Sequence, residues 1–432
     1  MITKENGLRY AKLVHVSVDN GLTSQSNKVY IMEEQSDGRI KCEYGRVGKS
    51  MTTIFKGSHE WNKVYNSKVN PRKGYKDVTD MIVESMTEDS SGQSTNTKTA
   101  DIKCPKVRAL FDDLMAFANK SIQKNYKVTQ DSVTEAQVEA AQEILNKAVK
   151  LVKKGMDVKP LNDLLIELYT IIPRKMKDVR DFLATSADTD ANVKWVNNFL
   201  SNEQDTLDTM AGQVKLLKQQ KEAQSKVNND IEDKPKEITI LEQIGLKVSE
   251  ETDDEQLKLI NKLLGSNASR AKKIFKCINE KTQAIFDANL AKAKVKKRRL
   301  YWHGSRNENW FNIIQSGLMI RPSGAVHTGS MFGDGIYFAN KSQKSLGYTS
   351  LRGSYWANGS SKKGYLALFD VHLGNQKHIT HHDSSCYRLS KRVLEADGYD
   401  SVYAHGGADL RNDEFIIYDG KQCTIAYIIE ME

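Results

Sequence analysis

At 432 residues the chain is long enough for two to four domains, and 39% hydrophobic with 28% charged residues is the makeup of a folded protein, not a disordered one. No apolar run approaches the roughly 18–20 residues that span a bilayer, Met1 to Asn6 lacks the apolar stretch of a secretion signal, and Cys42, Cys104, Cys277, Cys386 and Cys423 lack zinc-ligand spacing. An intracellular protein with reduced thiols, no metal and no membrane partner is expected, and its net charge of +9 suits an anionic partner.

Residues 1–88 read as a small β-rich module. Lys28 to Glu33 has strand character, Asp37-Gly38 is a hairpin signal, and Ile40 to Gly48 alternates before breaking on glycines. Met51 to Phe55 reads as a further strand and His59 to Lys68 as a helix. Lys56, Lys63, Lys68, Arg72, Lys73 and Lys76 are interleaved with Phe55, Trp61, Tyr65 and Tyr75. Cations neutralise phosphates and flat rings stack on exposed bases, so the mixture suits nucleic acid. A solvated basic face over an aromatic core has the same composition.

Residues 89–101 have the Ser-, Thr- and Asn-rich composition of a linker. From 102 to 225 the apolar spacing predicts a bundle of helices: Val107 to Ala118, Val138 to Val152 with Gly155 as its cap, Leu161 to Ile172 stopped by Pro173, and Val193 to Leu200. Lys215 to Lys236 is polar and reads as an exposed helix end followed by a linker.

In 226–432 the first predicted element is a strand over Leu241 to Val248, followed by a helix over Glu255 to Leu264 and a strand over Lys272 to Ile278. The basic run Lys292 to Arg299 reads as a solvated hairpin rather than a nucleic-acid patch. It leads into Leu300-Tyr301-Trp302, a short apolar strand that stops at His303-Gly304-Ser305. Trp310 to Leu318 predicts a helix, Tyr365 to Leu373 a half-buried strand, and Glu414 to Tyr418 with Thr424 to Ile429 the last strands.

Four pieces in the last domain stand in a telling order: His303-Gly304-Ser305 at a strand end, Met331 to Asn340 as a glycine turn feeding a strand, Lys344-Ser345-Leu346-Gly347-Tyr348, and Glu414 heading an apolar strand. Together they resemble the His-Tyr-Glu signature of the poly(ADP-ribose) polymerase family. Gly45-Arg46-Val47-Gly48, Phe55, the following lysines and Gly74-Tyr75 resemble that family's WGR domain, with Tyr44 in place of the Trp that names it. Leu168 to Pro173 and Ser186-Ala187-Asp188 resemble its helical regulatory domain, although Val128 to Val133 replaces the expected Leu/Gly/Lys-rich loop. The implied fold is α+β and multidomain: a WGR-like domain at 1–88, a linker at 89–101, an all-α helical bundle at 102–225 and an antiparallel β-rich ADP-ribosyltransferase fold at 226–432.

The resemblance implies a DNA-stimulated enzyme that uses NAD+ as substrate, expels nicotinamide through an oxocarbenium-like transition state, and modifies itself and nearby proteins. It implies catalytic roles for Glu414, His303 and Tyr337. The Gly304 backbone and Ser345 would hold the nicotinamide amide, with Ser305 beside them. Tyr348 would stack on the ring and Tyr337 would wall the pocket. His303 would bond the adenosine ribose, and Glu414 the nicotinamide ribose. Tyr44, Arg46, Lys56 and Lys73 would contact DNA ends. Glu414 implies competence in poly- or oligo-ADP-ribosylation, but polymerising relatives carry Tyr two residues before the Glu, and Asn412 stands there here, which argues against long chains and leaves single transfer as the alternative. A DNA-end adaptor without turnover is the alternative of another class.

Overall fold

The structure is a computed structural model that describes residues 2–4, 6–18, 25–47, 49–79, 101–128, 130–155, 157–185, 190–229, 239–320 and 331–432. Gly48, the linker from 89 to 100, Ser186-Ala187-Asp188 and residues 230–236 of the polar segment lie outside them. Contacts divide the chain into two compact units. One is Met1–Asn96 with Ser121–Val214, and the other is Thr97–Lys120 with Lys215–Glu432.

In the first unit, strands β1 (Ile2–Thr3), β2 (Arg9–Val18), β3 (Gln25–Glu34), β4 (Arg39–Arg46) and β5 (Thr52–Gly57) form an antiparallel sheet in sequence order. Helix α1 (Trp61–Val69) follows, and the short β6 (Lys76–Asp77) pairs with β2. Trp61 is fully buried among Ala11, Leu13, Met32 and Ile40, whose alternation gives the sheet one apolar face.

Helix α2 (Pro105–Asn125) is followed by α3 (Glu135–Lys154), α4 (Val158–Ile171) and α5 (Asp190–Asn229). Thr134 and Gln137 form a capping box at the start of α3, and Gly155 ends it with a φ of 119°. The contact division falls inside α2 and α5, so residues 102–120 and 215–225 are grouped with the C-terminal sheets. The polar residues from Lys215 are continuous helix to Asn229, with Leu216 and Leu217 buried.

The second unit continues with α6 (Ile240–Gln243), β7 (Leu246–Glu250), α7 (Asp254–Leu264), β8 (Ala271–Asn279), α8 (Glu280–Lys292), β9 (Arg298–Gly304) and α9 (Trp310–Ser316). Then come β10 (Ile336–Phe338), α10 (Ser342–Leu346), β11 (Gly364–His372), β12 (Gln376–Ile379), α11 (Lys391–Ala396), β13 (Ser401–Ala404), β14 (Glu414–Ile417) and β15 (Cys423–Met431). The expected strand over Leu241 to Val248 therefore begins as a helical turn. Thr239 and Glu242 close a capping box there, and extended backbone starts only at Leu246.

Two sheets result, one ordered β7-β8-β15-β11-β9 and antiparallel throughout, the other β10-β14-β13-β12 with a parallel β12–β13 pair. β11 was expected to be half-buried, but it is buried on both faces. Tyr365, Ala367, Phe369 and Val371 join a core with Phe111 of α2 and Trp310, Phe311 and Ile314 of α9. Leu366 and Leu368 join another with Ile260 and Leu264 of α7 and Leu346 of α10. Each large apolar side chain removed from water contributes about 1.5–3 kcal/mol. The sandwich thus fixes β9, which lies at the edge of the sheet.

Candidate active site

β9 alternates like any strand. Tyr301 enters the core beneath one face, and Trp302 enters the core on the other. His303 shares the face of Tyr301, with its ring edge-on to Trp310, Phe338 and Phe369. The outer edge of β9 meets Ala339. Trp302 and Ala339 exchange both backbone hydrogen bonds, at 2.8 and 3.0 Å. Two residues on, the N–H and C=O of Gly304 point to that same outer edge.

This exchange links the sheets. β10 runs antiparallel to β14, with Tyr337 opposite Ile416 and Phe338 opposite Phe415. The next step of that register sets Ala339, already tied to β9, beside Glu414. Non-local strand pairing therefore brings His303, Tyr337 and Glu414 to one place, and α10 follows directly with Lys344 and Ser345.

The His303 ring is held by its Nδ1, 3.1 Å from the carbonyl oxygen of Tyr337. A carbonyl only accepts, so Nδ1 carries the proton and Nε2 is left as an acceptor. Burial pushes the imidazole pKa down to about 4, outweighing that hydrogen bond, so the ring is neutral at pH 7. A neutral Nε2 suits a hydroxyl donor such as a ribose.

Glu414 is 8% exposed. Its Oε1 accepts from Lys344 Nζ, and its Oε2 is buried without a hydrogen-bond partner among the described residues. An unpartnered buried carboxylate oxygen is costly unless something else donates to it. A sugar hydroxyl would satisfy it, so the residues present fit a bound NAD+. Burial lowers the pKa of the Lys344 amine, and the Glu414 charge opposes the shift. The ion pair joins residues 70 positions apart and has no local signature.

Gly304 is where bulk is excluded. A Cβ there would lie 1.9 Å from the backbone oxygen of Ser345. Ser345 is buried in α10, and its carbonyl accepts from Tyr348 N–H at 3.1 Å. Tyr348 is partly exposed, and burial together with Glu414 pushes its phenol pKa up to about 12. The Tyr337 hydroxyl donates to Gly333 O at 2.8 Å and accepts from Phe332 N–H at 3.0 Å. Its ring can wall the site while its polar tip braces the glycine turn. Ser305 stands slightly apart, since its hydroxyl accepts from Asn309 at 3.2 Å.

The profile of the poly(ADP-ribose) polymerase catalytic domain matches residues 254–432. The poly [ADP-ribose] polymerase-like protein 100L of Invertebrate iridescent virus 6 is 35% identical over 162 residues, which is 37% of this chain and 84% of that protein. The chain belongs to the poly(ADP-ribose) polymerase family. Uncharacterized protein 101L of the same virus is 31% identical over 220 residues, 51% of this chain and 82% of its own length. The poly [ADP-ribose] polymerase of Drosophila melanogaster is 32% identical over 161 residues, but that match covers only 16% of the fly protein. The polymerase-family domain makes the chain an NAD+ ADP-ribosyltransferase, and its mixed fold of antiparallel sheets and helices agrees with that family.

Among the described residues no group of three or more His, Cys, Asp or Glu is placed to hold a metal, and no helix is long and apolar enough to cross a membrane.

The residues expected to contact DNA lie in the first unit. Tyr44 stacks on Tyr30 at 5.5 Å, and Lys68 Nζ sits 3.8 Å from the Tyr30 ring centre. Burial lowers the Lys68 amine pKa first, and the fields of Lys73, Lys56 and Lys28 add to it. Lys56 and Lys73 thus belong to one positive cluster with Lys68. Arg46 is exposed opposite Lys28, and with Lys49 it adds to the burial that lowers Lys127.

Proposed function

We propose that this chain is a DNA-stimulated ADP-ribosyltransferase that modifies itself and nearby proteins inside the cell, at broken DNA. On this reading residues 1–88 are a WGR-like DNA-binding domain, 89–101 a linker, 102–225 a helical regulatory domain and 226–432 the catalytic domain. The observation that carries the catalytic part is Glu414, whose buried Oε2, without a partner among the described residues, lies where β9, β10 and β14 converge. The positive cluster of Lys28, Lys56, Lys68 and Lys73 supports the DNA part.

NAD+ supplies the N-glycosidic bond between ribose and nicotinamide, which breaks as an acceptor attacks the anomeric carbon. Gly304 N–H and C=O offer a donor–acceptor pair for the carboxamide, with the Ser345 hydroxyl near. Tyr348 offers a ring to stack on. Neutral His303 accepts from a ribose hydroxyl through Nε2. Glu414 accepts from the other ribose and places negative charge beside the carbon that becomes cationic. Lys344 holds that carboxylate in place through their ion pair. Asn412 supports short products over long chains.

The test is transfer from labelled NAD+ to the full chain, with and without blunt or nicked duplex DNA, read on a sizing gel. Labelled protein that increases several-fold with DNA, and less in Arg46→Glu, is the expected result. Labelling that DNA leaves unchanged removes the DNA part alone. No labelling under any condition removes the proposal.

A further inference from the structure

Apart from the residues facing NAD+, the second unit carries a built aromatic surface. Tyr355 is 76% exposed and Trp356 61% exposed, while Trp61, Trp302 and Trp310 are fully buried. The two exposed rings stand perpendicular, 4.7 Å apart, and Trp356 lies nearly parallel to Tyr348 at 6.1 Å. Exposing two such rings forfeits their burial, so a bland solvent-facing loop gives no reason for them.

The loop that presents them is closed on itself. Trp356 N–H and Ala357 N–H both donate to Gly347 O, at 2.9 and 3.0 Å. Arg352 N–H donates to Ser361 O at 2.7 Å, and Ser361 N–H to Ser350 O at 2.9 Å. Gly359 N–H donates to the Ser354 hydroxyl at 2.8 Å, and a Cβ on Gly359 would lie 2.2 Å from Leu351 O. The rings are therefore held ready, with little ordering left to do on binding.

Charge selects the occupant. Between Gly347 and Gly364 the sequence holds Arg352, Lys362 and Lys363 and no Asp or Glu. Lys363 is engaged by Asp113 and Glu430, whereas Arg352 and Lys362 are exposed. Flat rings flanked by cations match a base carried on a phosphate backbone. The bases inside a duplex are already stacked on each other and only its end pairs keep a free face, so an unpaired strand offers these rings far more to stack on. An acidic peptide would use the cations and leave the rings idle.

We propose that the Gly347–Gly364 loop is a stacking platform for single-stranded nucleic acid, with Tyr355 and Trp356 against bases and Arg352 and Lys362 against phosphates. This rests neither on the transfer reaction nor on the basic cluster of the first unit.

The test is anisotropy of a labelled oligodeoxyadenylate titrated with the full chain, beside an abasic strand of equal charge. The oligodeoxyadenylate is expected to bind and to shield Trp356 from acrylamide quenching. The Tyr355→Ala/Trp356→Ala double variant and the abasic strand should each weaken binding roughly tenfold. Trp356→Phe, which keeps a ring, should hold most of the affinity and so separates lost stacking from a misfolded loop. Equal binding of the abasic strand, or of the double variant, overturns the proposal. So does binding lost in Arg46→Glu but kept in the double variant, and so does equal shielding by duplex or by an acidic peptide.

Discussion

Replacing Glu414 by Gln is expected to slow nicotinamide release about a hundred- to a thousandfold, with little change in the KM for NAD+. Gln keeps the shape and one acceptor oxygen, so ground-state contacts with a ribose hydroxyl survive. It lacks the full negative charge, which matters most when the ribose becomes cationic. That pattern, kcat lost and KM kept, marks an interaction made in the transition state. The fold should tolerate the change. Lys344 loses its partner, but its pKa is already lowered by burial and held up only by acidic neighbours, Glu414 first. Without Glu414 that opposition to burial is lost and the amine pKa falls further, which eases the cost of an unpaired cation there. Steady-state kinetics of both proteins check this, and a variant with full turnover would remove Glu414 from the mechanism.

The second large effect is at Gly304. Gly304→Ala is expected to cost about 1–3 kcal/mol of stability and to abolish measurable NAD+ binding. The added carbon would fall 1.9 Å from the Ser345 oxygen, a backbone atom that cannot rotate away. Relief requires β9 or α10 to move. α10 carries Lys344 and Ser345, and the Ser345 carbonyl fixes Tyr348. One methyl group thus disturbs the surface for the nicotinamide and the partner of Glu414 together. Thermal melting and calorimetric NAD+ titration check it. A variant that melts and binds like the parent would show that this close approach has no bearing on the site.

Much of this architecture is written in local patterns, and what is not depends on distance along the chain. The strand ending at Gly304 is legible because an apolar aromatic run meets a small polar turn. The Thr239–Glu242 capping box is equally plain as a Thr-x-x-Glu spacing, yet apolar Leu241, Ile244 and Leu246 made a strand the easier reading. β11 reads as alternating only if Tyr365 and Phe369 are set against their neighbours. Leu366 and Leu368 are just as apolar, which is the mark of a strand covered on both sides. At the site, the family resemblance implied His303, Tyr337 and Glu414, but not the inward turn of the Tyr337 hydroxyl toward Gly333. The Lys344–Glu414 pair and the Trp302–Ala339 exchange arise from strand pairing, which no window of sequence contains.

The most direct test of the shared site is a crystal structure of the full chain with an unreactive NAD+ analogue. The carboxamide is expected on Gly304 N–H and C=O, a ribose hydroxyl on His303 Nε2, and the nicotinamide ribose 2′-hydroxyl on Glu414 Oε2. An analogue bound elsewhere, with Glu414 Oε2 and Gly304 both untouched, would contradict the account.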